Sequence, residues 1–180
     1  TAYKAEHVVE SALPIIDVSA LRGGDADARR AVGREFRRAC LDLGFMYVVG
    51  HGVDRALRAD VLAQSAAFFA ISDEKKLAID MSLSPYNRGY EPLGGQTLED
   101  GAPPDLKEGF YIGEEISLDH PRLREGSFNL GPNQWPADLP GFETTMMTYY
   151  AEMLALGETL MRGIALSLGL EGDYFADFCR

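Results

Sequence analysis

The chain holds three histidines, and metal or acid–base chemistry has to be sought first at them. A mononuclear iron or zinc site needs two or three nitrogen or carboxylate ligands converging in one geometry. A His followed two residues later by an acid on a strand is the simplest form, because alternate residues share a face. The residues two beyond His7, His51 and His120 are Val9, Val53 and Arg122, so none of the three opens such a pair. A His-Glu-x-x-His helix, a Gly-x-Ser-x-Gly elbow and a P-loop are also absent from the sequence. His7 reads as exposed. His51, in Gly50-His51-Gly52, is open to two readings: a ligand-binding side chain, or a turn residue bonded to its own backbone. His120, in Asp119-His120-Pro121-Arg122, is open to the same two. The segment Tyr86-Asn87-Arg88-Gly89-Tyr90-Glu91-Pro92 gathers a guanidinium, a phenol and an amide. Arg88 there either grips a substrate carboxylate or pairs with one of the chain's own acids. Trp135, the only tryptophan, reads as a packing anchor with its N–H satisfied rather than as a cofactor-stacking ring.

Those residues need elements to hold them. Leu13 to Val18 reads as a strand opened by proline. Asp25 or Asp27 caps a helix with the stripe Val32, Phe36, Ala39, Cys40 and Leu43, in which Cys40 is small core filler and Gly44 the terminator. Phe45 to Val49 reads as a buried strand. Asp54 caps a second helix with the stripe Leu57, Val61, Leu62, Ser65, Phe68 and Phe69, and Ser72 opens a short third. From Ser82 to Pro104 helical periodicity is lost, which predicts a long functional loop with a turn at Gly94-Gly95. Lys107 to Gly113 reads as a strand. The direction of Tyr111 on it depends on the register, since a slip of one residue reverses it. Phe142 to Leu168 carries the strongest periodicity and predicts one long helix ended by Gly169, followed by a short helix from Glu171 to Cys179. Strands alternating with helices at the start hint at a parallel α/β sheet.

Composition bounds the function. The 180 residues are 46% apolar and 25% charged, which is globular, and 17 basic against 28 acidic residues leave a net charge of −11. Nothing in that charge suits nucleic acid or an anionic membrane. Arg29, Arg30, Arg34, Arg37 and Arg38 form the one dense basic cluster and read as a solvated helix face. Two cysteines far apart make no disulfide framework, no apolar run is long enough to span a membrane, and the first residues lack a signal-peptide pattern. A reducing cytoplasm is the default compartment.

Six pieces in order resemble the N-terminal part of the isopenicillin N synthase-like family of iron- and 2-oxoglutarate-dependent oxygenases. They are Leu13-Pro14-Ile15-Ile16-Asp17-Val18, Gly44-Phe45-Met46-Tyr47-Val48-Val49-Gly50-His51-Gly52-Val53, and Phe68-Phe69 ahead of Glu74-Lys75-Lys76, followed by Asn87-Arg88-Gly89-Tyr90, Asp105-Leu106-Lys107-Glu108-Gly109-Phe110, and Gly131-Pro132-Asn133-Gln134-Trp135-Pro136. The resemblance implies an α+β, mainly β fold: a double-stranded β-helix, or jelly roll, behind an N-terminal helical region. Residues 1–104 would be that helical and strand region. Residues 105–180 would start the jelly-roll core, with the long helix along it and the early strands at the edges of an antiparallel sheet. It also implies Fe(II) and 2-oxoglutarate as cofactors, the iron held by two histidines and an aspartate, and oxidative decarboxylation driving oxidation of a small substrate. The family's His-x-Asp, distal His and Arg-x-Ser follow the long helix and are not in this sequence, so no metal ligand or catalytic residue is carried over. The expectation is the N-terminal portion of a longer enzyme. What carries over is substrate contact at Arg88, Tyr90 and Tyr111, with Arg88 favouring a substrate that bears a carboxylate, and with Glu108 and Lys107 as a structural pair. The rival reading is a catalytically inactive binding or interaction module derived from the family, with the Met146, Met147, Met153 and Met161 helix facing a partner rather than filling the core.

Overall fold

The computed structural model describes residues 13–97, 101–124 and 129–178; His7 and Cys179, considered above, lie outside the described residues. In chain order the elements are β1 (Ile15–Asp17), α1 (Ala20–Gly23), α2 (Ala26–Asp42), β2 (Tyr47–Val49), α3 (Arg55–Phe69), α4 (Asp73–Leu77), β3 (Gly89–Glu91), β4 (Gly109–Tyr111), α5 (Pro121–Arg124) and α6 (Phe142–Ser167). Short 3-10 turns occupy Met81–Leu83 and Ala176–Phe178. The chain divides into two units: residues up to Asp54 with those from Ala151 onward, and Arg55–Tyr150. The expected boundary between 104 and 105 therefore falls inside the second unit.

In the first unit Ile16, Val18, Leu21, Val32, Phe36 and Ala39 are buried together, with Met46, Val48, Leu160 and Leu166 packed against them. Val32, Phe36 and Ala39 follow helical spacing, so α2 turns one narrow stripe inward. Cys40 falls outside it and is exposed, which corrects its assignment as core filler. The five arginines lie on the exposed face as expected. Asp25 is the cap: its carboxylate accepts from the Ala28 N–H at 2.8 Å. Asp25→Ala is expected to cost about 1 kcal/mol in urea unfolding. Asp27→Ala, which removes only an exposed pair with Arg30, should change stability by less than half of that.

β1 and β2 pair with each other in parallel, Ile16 opposite Val48. The early hint of parallel pairing survives, and the placement of these strands at antiparallel sheet edges does not hold among the described residues. Burial of Phe45 to Val49 is also corrected. Ile16 and Val48 face the core, whereas Ile15, Phe45, Tyr47 and Val49 remain exposed on strands that alternate face by face.

The second unit is built on aromatic rings. Phe68, Tyr90, Phe142 and Met146 are buried, with Phe110 and Trp135 packed on them. The Phe68 ring lies 4.7 Å from Phe110 and 5.4 Å from Phe142, within the range of favourable edge and tilted contacts. Burial of Met146 in this core agrees with core filling rather than partner contact. The predicted structureless stretch from Ser82 to Pro104 in fact contains β3, which pairs antiparallel with β4. Three residues are too few to leave a periodic signal, which is why the sequence hides them. The Gly94-Gly95 turn is present, closed by the Gly95 N–H on the Pro92 carbonyl at 2.9 Å. From Glu171 onward only the 3-10 turn forms among the described residues, not the expected helix. Four three-residue strands in two pairs do not close a jelly roll within the described residues. No helix among them is long and apolar enough to cross a membrane.

Candidate functional site

β3 and β4 sort the site residues by face. Tyr90 stands opposite Phe110, and both rings enter the aromatic core. Gly89 stands opposite Tyr111, and Glu91 opposite Gly109, so Glu91 and Tyr111 share the other face. The register that the sequence left open is thereby fixed. The Tyr111 hydroxyl donates to Glu91 Oε2 at 2.9 Å.

That face borders an open cavity of about 510 Å³ lined by Arg88, Glu91, Gln96, Tyr111, Asn87 and Asn129, with Met81 and Ile112 as its apolar members. Simple alternation would send Arg88 to the side of Tyr90. Gly89, at φ +110, breaks the alternation and lets Arg88 reach the cavity. Of the three residues expected to touch substrate, Arg88 and Tyr111 meet at this cavity. Tyr90 does not line it: its ring is 4% exposed, in the core, and its hydroxyl donates to Glu108 Oε2 at 2.7 Å.

Arg88 is itself 6% exposed. Its Nη1 donates to the Tyr86 carbonyl at 2.8 Å, and its Nη2 to the Asn129 carbonyl. The guanidinium passes directly over Gly113, where any Cβ would overlap it. Its Nε is buried with no hydrogen-bond partner, and so is Oε1 of Gln96 on the same cavity. Gln134 Nε2 donates to the Arg88 carbonyl at 2.7 Å and to that of Asp80 at 3.0 Å. Asn133 exchanges hydrogen bonds with the Gly113 main chain, receiving its N–H at 2.8 Å and donating to its carbonyl at 2.9 Å. Trp135 donates its indole N–H to Glu115 Oε2 at 3.3 Å while its ring joins the core, as an anchor should.

Behind the cavity lies a part-buried ion pair. Lys76 Nζ sits 2.8 Å from Glu108 Oε2, 3.1 Å from Asp73, and 5.2 Å from the centre of the Tyr90 ring. Glu108 therefore pairs with Lys76 and not with Lys107. The Lys76 bond, then that of Tyr90, holds the Glu108 carboxyl below its ordinary range. The bond to Glu108 raises Lys76. Burial first, then Glu108, pushes the Tyr90 hydroxyl up, so it stays protonated and donating.

The histidines take the turn reading. His51 Nδ1 accepts from the Val53 N–H at 3.1 Å, and His120 Nδ1 from the Arg122 N–H at 3.2 Å. Among the described residues no three His, Cys, Asp or Glu side chains converge as a metal site. These residues do not fit an iron centre. Glu91, Gln96 and Asn129 escaped the sequence reading. Glu91 was within reach of it, being two residues from Gly89 on the Tyr111 face. Gln96 and Asn129 come from irregular segments that carry no periodic signal.

The profile of the family described as "non-haem dioxygenase in morphine synthesis N-terminal" matches residues 13–138. A 2-oxoglutarate-Fe(II) type oxidoreductase, hxnY of Emericella nidulans, is 42% identical over 168 residues, covering 92% of this chain and 48% of that protein. The isopenicillin N synthase of Streptomyces griseus is 32% identical over 166 residues, covering 91% of this chain and 49% of its own length. Full-length Neurospora crassa T7H, solved in complex with alpha-KG, superposes with a TM-score of 0.76 at 32% identity, over 95% of this chain and 52% of that one. The same T7H has been solved with alpha-KG and thymine, with a TM-score of 0.74 over 93% of this chain and 52% of that one. The chain spans about half the length of the curated relatives it matches. It belongs to the isopenicillin N synthase-like family of Fe(II)- and 2-oxoglutarate-dependent oxygenases and corresponds to their N-terminal region.

Proposed function

We propose that this chain is the substrate-side part of an oxygenase that uses Fe(II) and 2-oxoglutarate to oxidise a small molecule bearing a carboxylate. In this reading residues 105–180 begin the jelly-roll core, and the metal and 2-oxoglutarate ligands lie outside the described residues. The unpaired Cys40 suits a reducing, cytoplasmic setting. The observation that carries the substrate reading is the buried Arg88 Nε, a charged donor with no partner on a side chain that lines the cavity. A carboxylate oxygen there would complete the guanidinium's hydrogen bonds and balance its charge. Tyr111, fixed by Glu91, forms the neighbouring wall. Tyr90 acts from behind, steadying Glu108 and β4.

In the holoenzyme, Arg88→Ala is expected to weaken binding of an acidic substrate by about tenfold to a hundredfold, with 2-oxoglutarate affinity nearly unchanged. Substrate-stimulated conversion of 2-oxoglutarate to succinate provides the readout. Undiminished substrate affinity in the variant would remove the role, and absence of iron-dependent succinate formation would remove the oxygenase reading.

A further inference from the structure

We propose that Gln96 reads a hydrogen-bond donor on the substrate, so that the molecule this cavity takes is a carboxylic acid that also carries an N–H or O–H group. The inference rests on the Arg88 reading above for the acid and on separate observations for the donor. Arg88 Nε and Gln96 Oε1 are buried without partners, and both residues line the same cavity. They are of opposite polarity: one needs an acceptor, the other a donor. A buried polar group left unmatched is costly, so a ligand that turns the two side chains toward the cavity and supplies both complements would be held at both ends. Glu91 strengthens the second demand. It is 7% exposed on the same wall and adds a further carboxylate, while Arg88 is the only cationic side chain among the described residues of the lining. A plain acid would meet Arg88 but leave Gln96 unmatched beside Glu91. An acid with a donor group satisfies Gln96 and turns a positive edge toward Glu91.

The test titrates the anaerobic holoenzyme with three probes: indole-3-carboxylate, its 1-methyl derivative and indole-3-carboxamide. The N–H acid is expected to bind about fivefold more tightly than the 1-methyl acid. Gln96→Leu should abolish that difference. Gln96→Glu, which keeps an acceptor, should retain the difference. Equal binding of the two acids to the native protein overturns the proposal. So does a difference that persists in Gln96→Leu, because it would then come from methyl-group crowding. If the carboxamide binds as well as the acid, the Arg88 reading fails and the Gln96 assignment stands. Saturable binding by none of the three at millimolar concentration overturns both.

Discussion

Phe68→Ala should lower the stability of the chain by about 3–5 kcal/mol, the usual cost of emptying a phenylalanine site in a packed interior. Phe68 is 0% exposed, and the rings of Phe69, Tyr90, Phe110 and Phe142 surround it at centroid distances of 5.1, 6.1, 4.7 and 5.4 Å. No single neighbour can move in to fill the space without abandoning another. Leu62→Ala on the same helix is the control. Leu62 is exposed, and its loss should cost no more than about 0.5 kcal/mol. Urea denaturation of both variants checks the contrast, and comparable losses would mean that the aromatic cluster does not organise this unit. The same void would loosen Tyr90 and Phe110, and with them the two strands that carry Glu91 and Tyr111.

Glu108→Leu should cost about 1–3 kcal/mol. It takes from the buried Lys76 ammonium its nearest carboxylate and leaves it the exposed Asp73 and the face of the Tyr90 ring. The paired change Lys76→Met with Glu108→Leu should recover most of that loss, since two apolar chains replace two charges. A single variant as stable as the native protein, or a double variant worse than the single, would contradict the assignment. The pair also fixes a pH dependence. Glu108 is held below its ordinary 4.5, so its stabilisation is complete above that value and fades as pH falls through the lower folded-state value. Lys76 is raised above 10.5, so its stabilisation is complete below 10.5 and is lost only as pH climbs through the higher folded-state value. Stability should therefore be flat with respect to this pair from about pH 5 to pH 10. It should fall on the acid side, with a shallower fall in the double variant.

The long elements were legible because they repeat. The helix from Phe142 and the Asp25 cap follow from periodic spacing and capping chemistry, whereas the expected stripe of α3 holds only in part, with Phe68 buried and Leu62 exposed. The site was legible only in part. Arg88 and Tyr111 stand out by residue type, but the face each takes depends on a strand register and on one distorted glycine, and neither leaves a pattern in sequence. Lys76 and Glu108 lie 32 residues apart, so proximity along the chain pointed to Lys107 instead. Cys40 and Phe45 misled for a related reason. An apolar residue in a periodic run looks buried, whereas burial depends on whether another layer covers it.

Gln134, Asn133 and the two outer nitrogens of Arg88 hold the walls of the cavity chiefly through main-chain groups, at residues 80, 86, 88, 113 and 129. A frame tied to peptide groups is indifferent to most of the side chains hung on it. Positions 81 and 96 can therefore drift through an evolving lineage without unfolding the protein, while Gly113 cannot. Diversification of such a cavity toward new molecules should run through those two positions, at little cost to the protein's expression or longevity in the cell.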